Sequence, residues 1–126
     1  MKKKILVVDD EHDLVDFIRI RLEANNYQVI AAYDGEKALS LAAKEKPDLV
    51  LLDILMPEMD GFKVCQELKN SPLTSAIAVI MLTAKDRQED IKLARQAGAD
   101  EYIIKPFDDQ TLLSNIQHLL KRIERG

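Results

Sequence analysis

Five polar residues of the sequence each stand where an apolar run of strand length ends: Asp9, Asp10, Asp53, Thr83 and Lys105. The carboxyl ends of parallel strands meet at one edge of a sheet, and this edge is where such proteins bind their ligands. We therefore expect three carboxylates, one hydroxyl and one ammonium group to converge there. Only the second apolar run is not followed by a polar residue that would obviously join this group.

Carboxylates held this close repel one another, so a cluster of this kind needs a compensating cation. Mg²⁺ fits because it takes oxygen ligands, keeps several waters and commonly contacts a phosphoryl oxygen as well. The Lys105 ammonium and the Thr83 hydroxyl could bind the remaining oxygens of a transferring phosphoryl group. The residue types thus predict magnesium-assisted phosphoryl chemistry.

The rest of the sequence predicts the elements that position these side chains. Apolar runs alternate with stretches of helical periodicity, giving five strand–helix pairs, which is the pattern of a parallel α/β sheet. The third and fourth runs are continuously apolar, as central strands covered on both faces would be. We expect a three-layer α/β domain with a five-stranded parallel sheet in the order 2-1-3-4-5 and helices on both faces.

Apolar stripes predict which faces of the helices are buried. In the first helix the stripe is Leu14, Phe17, Ile18 and Leu22, and in the last it is Leu112, Leu113, Ile116, Leu119, Leu120 and Ile123. Cys65 is expected to pack inside the third helix, because nothing near it in the sequence would activate a thiolate.

The composition excludes several classes of function. The chain has 126 residues and is 47% hydrophobic, enough for one core, so we expect a single domain over residues 1–126 without an output domain. A net charge of -4 is unlike the basic surface that nucleic-acid binding requires. A single cysteine excludes a disulfide framework, and the apolar runs are too short to span a membrane. We expect a cytoplasmic protein that binds neither nucleic acid nor membrane.

Two other classes of protein use the same edge of such a sheet. A nucleotide- or flavin-binding protein would place a glycine-rich loop after the first strand, but residues 9–13 include four acids that repel phosphate unless metal intervenes. A phosphatase of the haloacid-dehalogenase type carries a second acid two residues after its nucleophile, and those positions here are Leu55 and His12. Without a placed acid and base, we expect no turnover of outside substrates.

Five segments resemble the signature blocks of response-regulator receiver domains, in order along the chain. They are VVDDE at residues 7–11, DILMPEMDG at 53–61, LTA at 82–84, AGADEY at 97–102 and KPF at 105–107. The resemblance implies the flavodoxin-like receiver fold and a signalling switch, not an enzyme, that is phosphorylated by a sensor histidine kinase or a phosphotransfer protein. The alternative is a degenerate receiver that binds partners independently of phosphorylation. The filled motif positions argue against this alternative.

The same resemblance assigns the acidic residues their roles. It implies that Asp53 is the phospho-acceptor and that Asp10, Asp53 and the carbonyl of Leu55 hold Mg²⁺, with Asp9 in support through water. Leu55 and Lys85 stand at two positions that help to admit the attacking water in fast family members. We therefore expect slow dephosphorylation, with a phosphoryl lifetime of minutes to hours.

The resemblance also implies how the signal leaves the site. Lys105 would bind the phosphoryl group, and Thr83 would move to form a hydrogen bond with it. Tyr102 would turn inward and so signal the phosphorylated state to the surface. The Lys105–Pro106 peptide bond is expected to be cis. A downstream protein target would then dock on the face formed by helix four, strand five and helix five.

One departure from the family concerns assembly. Receivers of the winged-helix class of DNA-binding regulators dimerise through a charged network on helices four and five. The charged residues of that network correspond here to the uncharged Leu93, Thr111 and Asn115. Of the network, only the acid Asp100 is present in this sequence. Because charge pairs fix the specificity of such an interface, we expect a monomer or a weak dimer.

Overall fold

The strands of the protein lie in one parallel sheet. The computed structural model describes residues 2–54, 56, 60–84 and 88–125, apart from the side chain of Arg125. The strands are β1 (Lys4–Val8), β2 (Gln28–Ala32), β3 (Leu49–Asp53), β4 (Ala78–Thr83) and β5 (Glu101–Ile104). Their order is β2-β1-β3-β4-β5 and every neighbouring pair is parallel. The predicted topology is confirmed.

Helices alternate with these strands and cover both faces of the sheet. They are α1 (His12–Ala24), α2 (Gly35–Glu45), α3 (Gly61–Asn70), α4 (Gln88–Gln96) and α5 (Asp109–Arg125). Buried side chains of α1 and α5 share one core cluster with one face of the sheet. Those of α2, α3 and α4 share a second cluster with the other face. None of the helices in the described part of the chain is long and apolar enough to cross a membrane.

The central strands explain the continuous apolar runs of the sequence. Every residue of β3 and β4 is buried, because successive side chains point to opposite faces and both faces are covered by helices. Fully burying one Leu or Ile side chain contributes roughly 1.5 to 3 kcal/mol. The two central strands therefore form a rigid base under the residues at their carboxyl ends.

Two residues of the predicted helical stripes are not in the core. Phe17 is 37% exposed, whereas Val15 of the same helix is fully buried, and Ile123 near the chain end is 43% exposed. The guanidinium carbon of Arg21 lies 3.4 Å from the centroid of the Phe17 ring, so the ring is covered by a cation instead of by the sheet. The prediction that Phe17 is buried in the core was wrong. Phe17 lies at the edge of the apolar stripe, where a side chain one helical turn away can cover its ring.

Asp100 has a structural partner within the chain. The Lys69 Nζ atom donates hydrogen bonds to Asp100 Oδ2 and to the Ile77 carbonyl oxygen, both at 2.8 Å. The backbone N–H of Val79 donates to the same Asp100 oxygen at 2.8 Å. This Lys69–Asp100 latch joins the end of α3, the start of β4 and the turn before β5. Asp100 therefore has a cationic partner within its own chain.

Gly61 lets the start of α3 approach the end of β3 closely. Its backbone N–H donates a hydrogen bond to the Ile54 carbonyl oxygen at 3.0 Å. A Cβ atom at this position would lie 2.4 Å from the carbonyl oxygen of Asp53 and 2.8 Å from the Cα atom of Ile54. Both contacts are with backbone atoms, which cannot move aside as the end of a flexible side chain can.

We predict that Gly61→Ala lowers the free energy of unfolding by about 1 to 3 kcal/mol, because the added methyl group overpacks the backbone of β3. Urea unfolding followed by circular dichroism measures this difference. Ser40→Ala, on the exposed side of α2, is the matched control and should have little effect. An unchanged unfolding midpoint in Gly61→Ala would show that α3 can shift without cost.

Candidate functional site

The acidic residues predicted from the strand ends lie together at one edge of the sheet. The register of β1 against β3 pairs Val8 with Leu52, so the residues that follow them, Asp9 and Asp53, come side by side. Carboxylate oxygens of Asp9, Asp10 and Asp53 lie within 4.8 Å of one another. Side-by-side parallel strands thus bring together acids that are far apart in the sequence.

Lys105 reaches this cluster from beyond the end of β5. Its backbone N–H donates to the Thr83 carbonyl oxygen at 2.6 Å, which fixes Lys105 beside the end of β4. Its Nζ atom lies 3.2 Å from Asp53 Oδ1 and 3.3 Å from Asp9 Oδ2. The Lys105–Pro106 peptide bond is cis. One ammonium group therefore bridges two carboxylates.

The site residues differ strongly in exposure. Asp9 is fully buried, and Asp53 and Thr83 are 6% and 3% exposed, whereas Asp10 is exposed. Tyr102 lies apart from the cluster, half-buried on β5, and packs against the core cluster on the side of α2, α3 and α4. Leu55 and Lys85 lie outside the described residues, so the expected carbonyl ligand and the expected phosphoryl lifetime stay predictions.

Burial and charge shift the ionisation of the two buried partners. Burial raises the pKa of Asp9 to about 6, and the nearby charge of Asp53 acts in the same direction, while the Glu11 N–H and Lys105 oppose the shift. For Lys105, burial favours the neutral form, but the charges and hydrogen bonds of Asp53 and Asp9 together raise its pKa above the usual range. Lys105 therefore stays charged, whereas folding disfavours the ionised form of Asp9.

The donor set fits a hard cation such as Mg²⁺, which prefers carboxylate oxygens. Asp9 Oδ1 accepts a hydrogen bond from the Glu11 N–H at 3.0 Å and its Oδ2 contacts Lys105 at 3.3 Å, so both of its oxygens are already engaged. Asp10 is exposed, and its carboxylate accepts no hydrogen bond from the part of the chain that the structure describes. Asp10 is thus the acid best placed to accept a cation directly.

Sequence reasoning missed one contact beside the site. The rings of His12, the first residue of α1, and Tyr33, the residue after β2, stack with centroids 3.8 Å apart and planes 2° from parallel. From the sequence, the second strand is not expected to contribute a residue to this edge of the sheet. Both side chains are exposed, but each covers a face of the other. No sequence pattern indicated the pair, since its members belong to different elements.

The cysteine and the second histidine are outside the site. Cys65 is fully buried in α3, and its Sγ atom donates to the Ala97 carbonyl oxygen at 3.5 Å. Burial raises the pKa of its thiol to about 11, which keeps it protonated and unreactive. His118 is an exposed residue of α5. The structural interpretation of Cys65 is confirmed.

We predict that Asp9→Asn stabilises the metal-free protein at pH 7.5, by on the order of 1 to 3 kcal/mol. The folded state raises the Asp9 pKa from 3.8 to about 6, so folding favours the protonated acid. This favourable contribution is complete below the unfolded pKa and is lost as the pH rises through about 6. Asparagine stays neutral at every pH and keeps an oxygen for the Glu11 N–H.

Urea unfolding in the presence of a chelator, at pH 7.5 and at pH 4, measures this effect. The advantage of Asp9→Asn should shrink at the lower pH, where the wild-type acid is also protonated. Asp16→Asn, on the exposed side of α1, controls for the loss of one negative charge. An Asp9→Asn protein that is less stable than the wild type at pH 7.5 contradicts the prediction.

Comparisons with known proteins agree with this fold. The sequence matches the family described as response regulator receiver domain over residues 5–117. It is 44% identical over 124 residues to the alkaline phosphatase synthesis transcriptional regulatory protein PhoP of Bacillus subtilis, covering 98% of this chain and 51% of that protein. It is 41% identical over 122 residues to the DNA-binding dual master transcriptional regulator RpaA of Synechocystis, covering 97% and 51%. The chain thus spans about half the length of these curated relatives.

A solved structure shows the same architecture. The CheY-like response regulator receiver domain protein of Methanospirillum hungatei superposes with a TM-score of 0.93 at 31% sequence identity, covering 99% of this chain and 98% of that one. The family match covers most of the chain, and the strand order agrees with that expected of the family. The chain therefore belongs to the response regulator receiver domain family of two-component signalling systems.

Proposed function

We propose that this receiver is a phosphorylation switch, in which Asp53 accepts a phosphoryl group with the help of Mg²⁺ and Lys105. The observation that carries the proposal is the contact of the Lys105 ammonium with Asp53, 3.2 Å from Oδ1, beside two further carboxylates. A cation that bridges a potential nucleophile and its acidic neighbours is already placed where transferred negative charge would arrive.

In this mechanism an oxygen of Asp53 attacks the phosphorus of a phosphohistidine on a histidine kinase or phosphotransfer protein. The new O–P bond forms as the P–N bond breaks, and the imidazole leaves with the electron pair. Lys105 binds a phosphoryl oxygen and stabilises its charge, and the Thr83 hydroxyl bonds another. Placement of Thr83 at the end of β4, next to β3, supports its role.

Asp10, Asp53 and the Leu55 carbonyl are the proposed ligands of Mg²⁺. Asp9 acts through water, because its oxygens are engaged by the Glu11 N–H and by Lys105. When bound, Mg²⁺ supplies positive charge that offsets the repulsion between the acids and the incoming phosphoryl oxygens. The protein's own contribution is to hold the carboxylates close together before either group arrives.

Phosphorylation would add roughly -1.5 to -2 of charge at Asp53, and this charge would bias two arrangements of Thr83 and Tyr102. Tyr102 lies on β5, three residues before Lys105, so a change at the site has a short path to the face of α4, β5 and α5. We propose that a downstream protein target docks on this face. The curated relatives are named as transcriptional regulators, and we infer a cytoplasmic role in regulating transcription.

We predict that Asp53→Asn abolishes phosphorylation, because the amide keeps the shape of the side chain but is not a nucleophile. Incubation with acetyl phosphate and Mg²⁺, followed by intact mass spectrometry, should show one phosphoryl group on the wild type and none on the variant. Asp16→Asn should label as the wild type does. Full labelling of Asp53→Asn would end the assignment of the phospho-acceptor.

We predict that Asp10→Ala weakens Mg²⁺ binding by at least about tenfold, since direct carboxylate ligands dominate a site with few protein contacts. A titration with Mg²⁺ followed by amide chemical shifts measures the dissociation constant. Asp13→Ala removes a neighbouring exposed acid in the first turn of α1 and should have a much smaller effect. Equal affinities in Asp10→Ala and wild type would exclude Asp10 as a ligand.

We predict that the phosphorylated protein stays monomeric at micromolar concentration, or dimerises through a face other than α4, β5 and α5. The Asn115 amide donates to the Thr111 carbonyl oxygen at 2.8 Å within α5, and Asp100 is engaged by Lys69. The charged network of the winged-helix class therefore has no free partners among these residues. Leu93, 39% exposed on α4, offers an apolar side chain in its place.

Sedimentation with and without beryllofluoride, a phosphoryl mimic, tests this prediction. Leu93→Glu is a better probe of the face than a change at Asp100, because Asp100 is part of the Lys69–Asp100 latch and its loss would also disturb folding. Dimers that form with beryllofluoride and break in Leu93→Glu would show that this face is used and that the prediction is wrong.

A further inference from the structure

In the described part of the chain, the acid loop, which we define as Asp9, Asp10 and Glu11, is held through Asp9 and Glu11: Lys105 contacts Asp9 Oδ2, and the Val15 N–H donates to the Glu11 carbonyl oxygen at 3.1 Å. The Asp9 N–H donates to the Ala32 carbonyl oxygen at 3.2 Å, and the Glu11 N–H donates to Asp9 Oδ1 at 3.0 Å. Both contacts fix the buried Asp9 and its immediate neighbours. Neither acts on the side chain of the exposed Asp10, the acid best placed for a cation.

The helix that follows the acid loop also starts without a side-chain cap. Glu11 occupies the N-cap position of α1, and its side chain makes no capping hydrogen bond. Helices α2 and α3, in contrast, have capping bonds from the Lys37 N–H to Asp34 and from the Phe62 N–H to Asp60, at 2.7 and 2.8 Å. A missing cap leaves the first turn of a helix prone to fraying.

The stack of His12 on Tyr33 lies at this uncapped end. His12 is the first residue of α1 and comes two positions after Asp10, and Tyr33 directly follows β2. The two rings are 3.8 Å apart and nearly parallel. The stack therefore ties the start of α1 to the end of the neighbouring strand β2, on the side of the acid loop opposite to Asp53.

We propose that Tyr33 is a positioning residue for the metal site. The Tyr33 ring stacks on His12 and so restrains the first residue of α1. This restraint keeps the backbone of Asp10 in the position from which its carboxylate binds Mg²⁺. This inference rests on the proposed function, in which Asp10 is a metal ligand. Because aromatic pairs contribute modestly to stability, loss of the stack should weaken Mg²⁺ binding by about threefold, much less than loss of the Asp10 carboxylate itself.

The test compares Mg²⁺ dissociation constants, measured by amide chemical shifts, for four variants. Tyr33→Ala and His12→Ala each remove the stack, and each should weaken binding by about threefold. The double variant should bind as the single variants do, because a second substitution has no contact left to remove. Tyr33→Phe keeps the ring and should retain wild-type affinity.

Two further variants separate the possible outcomes. His118→Ala removes the other exposed histidine, far along α5, and should leave affinity unchanged. Asp10→Ala reports on the proposed function: if it binds Mg²⁺ as the wild type does, the assignment of Asp10 fails, and this inference fails with it. If Asp10→Ala loses affinity but Tyr33→Ala and His12→Ala do not, the proposed function stands and the positioning role is overturned.

Additive losses in the double variant, or a loss in Tyr33→Phe equal to that in Tyr33→Ala, would also overturn the inference. The first result would mean that the two rings act separately, and the second that the hydroxyl matters and not the ring. If Tyr33→Ala does not fold, His12→Ala provides the same test, because it removes the stack at an exposed helix start and leaves the end of β2 intact.

Discussion

The structure depends on the electrostatic balance between Lys105 and the acids around it. Two carboxylates, those of Asp9 and Asp53, are buried side by side at the ends of adjacent strands, and a single ammonium contacts both. Without that cation, two like charges would share a poorly solvated site, which is costly. Three carboxylates share the site with this ammonium, and burial, aided by the charge of Asp53, raises the pKa of Asp9. A site that is under-neutralised in this way favours the binding of further positive charge.

That balance requires accurate placement of elements that are distant in sequence. Lys105 follows β5, which is separated from β3 by β4, and its long side chain crosses the end of β4 to reach Asp53. Its backbone is anchored to Thr83, the last residue of β4. On the other side, Gly61 lets α3 start directly against the backbone of Asp53. The fully buried central strands keep these anchors in register, so the position of the charges follows from the packing of the sheet.

Much of this arrangement could be predicted from the sequence, because it depends on local patterns. Apolar runs and helical periodicity predicted the alternation of strands and helices, the usual order of doubly wound sheets predicted how the strands are arranged, and the residue after each run predicted the acids and Lys105. The pairing of His12 with Tyr33 and of Lys69 with Asp100 could not be predicted, since each joins two elements whose side chains meet only after folding. Phe17 shows a third limit. Its apolar character predicted burial, but the sequence does not say that the Arg21 guanidinium covers its ring.

The Lys69–Asp100 latch has a consequence for exchanging parts between receivers. It joins residues that are 31 positions apart, and the segment between them contains all of β4 and α4. A chimera whose crossover point lies inside this segment takes the two ends of the latch from different parents. If one parent lacks Lys69 or the other lacks Asp100, the remaining partly buried charge has no partner. Where Asp100 is the missing residue, the Val79 N–H also loses its acceptor. Residues 69–100 are therefore best transferred as one block when segments of two receivers are recombined.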